Sequence, residues 1–259
     1  MNETLAAFQR LTEIMAELRE KCPWDRVQTK ESIRHLTIEE SYELTEAILR
    51  NDYAEMRGEL GDLLLHIVFY SHMAAEEGQF TLREVIEGIN AKLIRRHPHI
   101  YGTVQAEHEA DVRANWEQIK AQEKAAAGKP NASVLDGVPG SLPGLVKAQR
   151  MQEKASQVGF DWPGPEAVWA KVQEEIQEFQ EAETPEEQEA EMGDLLFSLV
   201  NYCRFKGINA EDALARTNLK FKRRFEFVER QAAAAGNLLR DMTLEEMDVY
   251  WDQAKQAGL

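Results

Sequence analysis

Four short blocks occur twice in this chain, in the same order. ELGDLL (Glu59 to Leu64) returns as EMGDLL (Glu191 to Leu196). EESYE (Glu39 to Glu43) returns as EEIQE (Glu174 to Glu178), upstream of each. NAKLIRR (Asn90 to Arg96) returns as NLKFKRR (Asn218 to Arg224), and WEQIK (Trp116 to Lys120) as WDQAK (Trp251 to Lys255). The spacing is near 130 residues, too long for a solenoid repeat, so the chain reads as one domain duplicated. Whatever one half folds into, the other must also accommodate. Within each half helical periodicity dominates and strand-like alternation is nearly absent. Helices are expected over roughly 3–21, 30–50, 53–77, 81–97 and 108–125, then over 144–157, 164–183, 185–206, 210–234 and 243–256. Between the sets lies Ala125 to Leu145, which holds Pro130, Pro139, Pro143 and four glycines and reads as a connector. The fold class is all-α. The expected division is a first helical module at 1–125, a linker at 126–144 and a second module at 145–259.

Composition limits what such a molecule can bind. The 259 residues carry a formal net charge of −16, which repels nucleic-acid backbones. No run of about 18 apolar residues is present, so no membrane span is expected. The first residues lack the basic and apolar regions of a signal peptide. Two cysteines, Cys22 and Cys203, form neither a disulfide framework nor a zinc set, in keeping with a soluble cytoplasmic protein. An acidic protein can still hold a phosphorylated small molecule when a divalent cation stands between its carboxylates and the phosphates.

The repeated blocks supply those carboxylates. Residues three or four apart share a helix face, so Glu40 and Glu43 point the same way beside Leu36, Leu44, Ala47 and Ile48. Glu175 lies on the stripe of Val168, Val172, Ile176 and Phe179, with Glu178 at its border. A carboxylate facing a core must be paired or hold a metal. The next helix adds Glu59 and Asp62, or Glu191 and Asp194, each followed by an apolar run that reads as buried. Fifteen residues separate Glu43 from Glu59 and twelve separate Glu178 from Glu191, either enough for a tight turn between antiparallel helices. Four carboxylates would then converge in each half, an all-oxygen set suited to Mg²⁺ or Mn²⁺ rather than zinc. A lone E-x-x-E is more often a solvated face. Here Gly61 and Gly193 stand between the acids at the same mid-helix place, where glycine costs about 1 kcal/mol relative to alanine. The repeated cost implies close backbone approach or a ligand. A di-iron bundle is disfavoured, because neither motif has a histidine three residues after a glutamate.

Basic and aromatic residues follow. Asn218, Lys220, Arg223 and Arg224 share a helix, as do Asn90, Lys92, Arg95 and Arg96. Lys220 and Arg224, four apart, can reach one polyphosphate. Intrachain pairing is the bland alternative for each. Trp251 and Lys255 are also four apart; the indole can stack on a base and the ammonium can meet a phosphate, with core packing an equal reading for Trp251. His97 and His99 flank Pro98, which points to surface or capping roles. Cys22 reads as packing at a helix end.

Together these motifs resemble the MazG family of nucleoside triphosphate pyrophosphohydrolases, within the all-α NTP pyrophosphatase superfamily. The family pattern, E-E-x-x-E then E-x-x-D, is met by Glu39, Glu40, Glu43, Glu59 and Asp62, and again by Glu174, Glu175, Glu178, Glu191 and Asp194. KCPWDRVQT, RRHPHIYG and VLDGVPGSLPGL are similar to stretches of two-domain bacterial members. The second half lacks CPWD and HPH, with GFDW (Gly159 to Trp162) near the first position. The resemblance implies cleavage of NTPs, ribo- or deoxyribo-, between the α and β phosphates, giving NMP and pyrophosphate. It implies Mg²⁺ held by Glu175, Glu178, Glu191 and Asp194, a homodimer in which two-helix pairs complete four-helix-bundle cores, and a role in nucleotide-pool house-cleaning.

Both lines join in a mechanism. Cations bridging carboxylates and triphosphate would position water for in-line attack, with Lys220 and Arg224 stabilising the developing charge. Glu174 is the candidate to orient or deprotonate the water, beside Glu175. Residues expected to touch substrate are Lys171, Glu174, Glu175, Asp194, Lys220, Arg223, Arg224, Trp251 and Lys255. The rival reading is a helical nucleotide- or protein-binding module with structural or vestigial acidic sites. The second module is expected to carry most of the catalysis. Pro98 ends the first basic helix just after Arg96, whereas the helix holding Arg224 runs on. The shorter spacer in the second half also suggests a tighter turn.

Overall fold

Helices are the regular elements throughout the computed structural model, which describes residues 2–104, 108, 112, 115, 116, 119, 122, 123 and 133–259. No strand occurs among the described residues. The chain divides into two compact units, Met1–Pro130 and Asn131–Leu259.

The first unit holds α1 (Glu3–Lys21), α2 (Arg34–Arg50), α3 (Tyr53–Glu76), α4 (Leu82–Arg96) and the single turn α5 (Pro98–Tyr101). Helix α2 starts four residues later than its periodicity suggests. Thr29 and Ser32 accept hydrogen bonds from each other's backbone N–H and fold residues 30–33 into a turn. Two residues join α2 to α3. Asn51 adopts the left-handed conformation at φ 57°, and Asp52 caps α3 by accepting from the amides of Ala54 and Glu55. Helix α4 begins in a Thr81–Glu84 capping box and ends at Arg96, before Pro98, as expected. His97 is its C-cap, and Cys22 caps α1. The core joins Met15 of α1, Ile33, and Val68, Phe69 and Met73 of α3. Of the expected helix over 108–125, Val112, Asn115, Trp116, Ile119, Gln122 and Glu123 are helical, His108 lies in a bend, and the other residues lie outside the described set.

The second unit holds α6 (Gly144–Ser156), α7 (Pro165–Glu181), α8 (Pro185–Phe205), α9 (Ala210–Ala234) and α10 (Leu244–Gln256). Prolines open α7 and α8 at the first turn, where their missing N–H costs no bond. Capping boxes Thr184–Glu187 and Thr243–Glu246 start α8 and α10. Helices α7 and α8 pack as an antiparallel pair, as α2 and α3 do. Helix α6 lies on α8 as α1 lies on α3, and α10 packs on α9. Val168, Val172, Val200, Val228, Ala232 and Ala254 are buried here. Residues 126–132 of the expected linker lie outside the described set, and 133–143 form turns.

Two expectations are corrected. The apolar runs after the acidic starts do not make α3 and α8 buried all round. Leu60, Leu64 and Ile67 on α3 stay exposed, as do Met192, Leu196 and Leu199 at the matching places on α8. Ile48 and Ile176, expected on core stripes, are exposed too. Each hairpin is covered on one side only by its own unit. The shorter spacer in the second half is not a tighter turn either. Three residues, 182–184, join α7 to α8 against two in the first unit. The spacer shrinks because α7 runs three residues past Glu178, whereas α2 runs seven past Glu43.

Candidate functional site

In each unit the helical hairpin brings three carboxylates together. Carboxylate oxygens of Glu40, Glu43 and Glu59 lie within 4.8 Å of one another, and so do those of Glu175, Glu178 and Glu191. The first two acids of each set sit three residues apart on one face of α2 or α7. The third enters from the first turns of α3 or α8. The fourth expected member is absent from both sets: Asp62 and Asp194 are exposed and stand outside the 4.8 Å group. A residue three positions on is turned about 60° and raised about 4.5 Å along the helix. Asp62 and Asp194 also have shorter side chains than the glutamates of the groups. The charge of Asp62 is still felt, for it helps raise the pKa of Glu40 and of Glu59.

The two clusters differ electrostatically. In the first, burial pushes Glu40, Glu43 and Glu59 above the usual carboxylate range. After burial, Glu59 is raised by its hydrogen bond to Glu40, and Glu43 by the charge of Glu59. In the second, a cation sits inside the cluster. Lys171 Nζ lies 2.7 Å from Glu174, 2.8 Å from Glu175 and 3.9 Å from Glu178. Those hydrogen bonds hold the lysine well above the ordinary ammonium value. Glu178 is still raised by burial, with Lys171 opposing. Glu175 is 5% exposed, on the stripe of Val168 and Val172 as expected, and Lys171 supplies the partner that a buried carboxylate requires. The first unit has Leu36 in the place of Lys171, three residues before the E-E pair, and it packs against the core.

These residues fit a hard divalent cation. All donors are oxygens, they converge from two helices, and in the first unit they repel one another with no cationic side chain of the described residues paired to them. The glycine expectation is half overturned. A Cβ at Gly61 or Gly193 would meet nothing within 4 Å, so no other backbone among the described residues approaches there. The space opens beside the acids instead.

The basic blocks part company between the units. Arg95 and Arg96 both pair with Glu123, at 2.6 and 2.5 Å, and hold its carboxyl down at about 2. In the second unit Lys220 is exposed, and neither it nor Arg223 forms an ion pair among the described residues. Arg224 is half-buried. Its Nε donates to the Leu259 carbonyl at 2.6 Å, and its guanidinium lies 5.8 Å from the Trp251 ring. Neither Lys220 nor Arg224 pairs with a cluster carboxylate; Lys171 does. Trp251 packs on Phe221 at 5.2 Å. Lys255 pairs with Asp252. Glu174 is exposed and bound to Lys171, beside Glu175 rather than inside the cluster.

Sequence reasoning missed His66, buried one turn after Asp62 with Nδ1 unpartnered. Its i+4 spacing from that acid was the available signal. Reading Lys171 only as a substrate contact also missed its place among the acids, which its spacing to Glu174 and Glu175 foretold.

Fold and site together define a class: an all-α protein with a duplicated two-helix carboxylate centre suited to a divalent cation. The profile of the MazG nucleotide pyrophosphohydrolase domain matches residues 28–101 and again 164–228, covering one hairpin in each unit. The chain is 45% identical over 257 residues to the nucleoside triphosphate pyrophosphohydrolase/pyrophosphatase MazG of Thermotoga maritima, spanning 98% of both chains. It is 46% identical over 257 residues to the nucleoside triphosphate pyrophosphohydrolase of Escherichia coli, spanning 96% of this chain and 97% of that one. A third relative, the nucleoside triphosphate pyrophosphohydrolase of Mycolicibacterium smegmatis, is 36% identical over 149 residues, 57% of this chain and 45% of that one. The chain belongs to the MazG nucleotide pyrophosphohydrolase family.

Proposed function

We propose that this chain is a Mg²⁺-dependent nucleoside triphosphate pyrophosphohydrolase, converting NTP and water to NMP and pyrophosphate, with the second unit as its main catalytic centre. The carrying observation is the Glu175, Glu178 and Glu191 cluster with Lys171 set into it, in a chain of this family. Glu175, Glu178 and Glu191 would hold Mg²⁺, with Mn²⁺ as an alternative, and Asp194 would join at the rim. Bound there, the cation would neutralise phosphate charge and lower the barrier to water attack. Lys171 holds a positive charge at the cluster and is placed to turn from carboxylate to phosphate. Glu174, exposed beside it, can accept a proton from the attacking water. Lys220, Arg223 and Arg224, with Lys255, line up cations on α9 and α10 for the triphosphate. The exposed apolar stripes of α3 and α8 suit a second copy of the chain, so the working form is a homodimer. No helix of the described residues is long and apolar enough to cross a membrane, and two free cysteines fit a cytoplasmic place in nucleotide-pool house-cleaning.

The first unit favours the second reading for itself. Its basic block is closed on Glu123 and its cluster has no lysine, which suits a cation-binding or structural role. The test is incubation with a panel of NTPs and dNTPs plus Mg²⁺, with products resolved. NMP and pyrophosphate should appear, and EDTA should abolish turnover. NDP and orthophosphate as first products would reject the bond assignment.

A further inference from the structure

The second unit holds a cleft of about 510 Å³ between α6, the turn after it and α8. Gly159, at φ 84°, makes that turn, which a side chain would strain. Phe160 and Trp162 follow it, and with Phe197 of α8 they put three aromatic rings on the lining. Phe160 is 83% exposed and stands at the rim. The cleft opens on a different side of α8 from the acids. Phe197 and Asn201 lie six and ten residues after Glu191. That turns them about 120° and about 80° from it around the helix axis, both in the same sense. The cleft is therefore a place apart from the carboxylate centre.

The polar groups of the lining point to one kind of occupant. Arg204 and Asp161 close on each other, so the charged pair on the wall is neutral as a unit. Arg204 Nε also donates to Asn201 Oδ1 at 3.0 Å. Gln152 of α6 is 7% exposed, and its Nε2 donates to the Phe197 carbonyl at 2.8 Å. That bond fixes the amide and leaves Oε1 buried beside the cleft with no partner among the described residues. A buried acceptor without a donor is costly, and a ligand N–H or O–H would relieve it. A neutral, ring-lined wall with one acceptor in want of a donor suits an uncharged aromatic molecule that carries a single donor. A phosphate or carboxylate would find no free cation on that lining.

The first unit shows the same seam closed. By the register of ELGDLL and EMGDLL, Phe197 and Asn201 correspond to Leu65 and Phe69. Both pack with Met15 of α1 in the first core, where Met15 is 1% exposed. The shared fold thus requires no cleft between its first helix and the second helix of its hairpin. The open seam and the unpaired amide oxygen are particular to the second unit.

We propose that this cleft is a second ligand site, separate from the carboxylate centre, for a small neutral aromatic molecule whose one N–H or O–H donates to Gln152. The proposal goes beyond the hydrolase reading and does not depend on it.

The test is calorimetric titration of the full chain with indole and with 1-methylindole, which keeps the rings and lacks the donor. The wild-type protein should bind indole saturably in the millimolar range or tighter. It should bind 1-methylindole at least about tenfold more weakly, the scale of one donor–acceptor bond. Gln152→Leu should bind the two within about twofold of each other, because the acceptor that tells them apart is gone. Ala155→Phe, which places a ring in the cleft, should abolish binding of both. Glu191→Gln should leave indole affinity within about twofold of wild type, as expected of independent sites. Melting temperature reports folding. If Gln152→Leu does not fold, Ala155→Phe and the ratio of the two affinities on the wild-type chain decide. No saturable indole binding, equal wild-type affinity for the two compounds, or binding that survives in folded Ala155→Phe would overturn the proposal. Loss of indole binding in Glu191→Gln would overturn the separation from the carboxylate centre.

Discussion

Lys171 is the residue by which the two centres differ most. The same E-E-x-x-E block is preceded by a lysine in one unit and by Leu36 in the other, and only the second cluster therefore carries its own counter-charge. An ammonium among the carboxylates competes with a cation until a phosphate draws it away. Replacing it as in Lys171→Leu should tighten Mg²⁺ binding in the absence of nucleotide, read by calorimetry. It should also lower kcat/KM for NTP by roughly 10- to 100-fold, the scale of losing one charge-stabilising group. Weaker cation binding in that variant would contradict the counter-charge role. The first cluster makes a pH prediction. Glu40, Glu43 and Glu59 titrate above ordinary carboxylates, so the folded metal-free protein binds more protons than the unfolded chain between the two ranges. These groups therefore add stability as pH falls into that window, and withdraw it as pH rises through their folded values. Cation binding runs the other way, because protons compete for the same oxygens. Going from about pH 7.5 to about pH 5.5, the stabilisation of the melting temperature by Mg²⁺ should shrink. Stabilisation that grew on acidification would contradict the raised values.

At the scale of elements, the decisive contrast is between α4 and α9. Both carry the N-x-K-x-x-R-R block. Helix α4 stops at Arg96 and spends its arginines on Glu123, whereas α9 continues ten residues beyond Arg224 and leaves Lys220 and Arg223 free of ion pairs among the described residues. A cation held mid-helix is positioned by two flanking turns, while one on a last turn frays with it. Glu175→Ala should therefore remove nearly all activity on an NTP, and Glu40→Ala should keep most of it, when both are assayed side by side. The reverse order would move catalysis to the first unit. Lys220→Ala should cut turnover with no change in melting temperature, since its side chain is exposed. Arg224→Ala should lower both, because its guanidinium also holds the Leu259 carbonyl and lies against Trp251.

Across the whole molecule the unexplained surface is apolar. Leu60, Leu64 and Ile67 recur as Met192, Leu196 and Leu199, at i, i+4 and i+7 on the helices that also present the acids. An acidic chain of net charge −16 stays dispersed by repulsion, so stripes this regular point to a specific contact rather than loose association. Leu196→Glu should shift the protein toward monomer in analytical ultracentrifugation and lower activity with it. A variant that remained associated to the wild-type degree would remove α8 from the interface.

The repeat and the helical period were legible in the residues themselves, because both are local. A duplicated Glu spacing, a proline after Arg96 and a Pro-Gly connector act through the chain's own backbone over a few residues. They were enough for the helices, the two-unit organisation and the acidic pairs on α2, α3, α7 and α8. What depends on contacts across helices was not readable in that way. That Glu59 and Glu191 join the 4.8 Å groups while Asp62 and Asp194 stand outside them depends on how each hairpin is packed. The exposure of Leu64 and Leu196, read from the sequence as burial, follows from each unit covering its hairpin on one side alone. The cleft at Gln152 and Asn201 could not be seen in LLFSLVNY, since an asparagine in an apolar run says nothing of its neighbours. It forms where α6 lies across α8, with the Gln152 amide oxygen buried beside it without a partner among the described residues. Local sequence sets the elements; burial, pairing and cavities belong to pairs of elements, and only packing decides them.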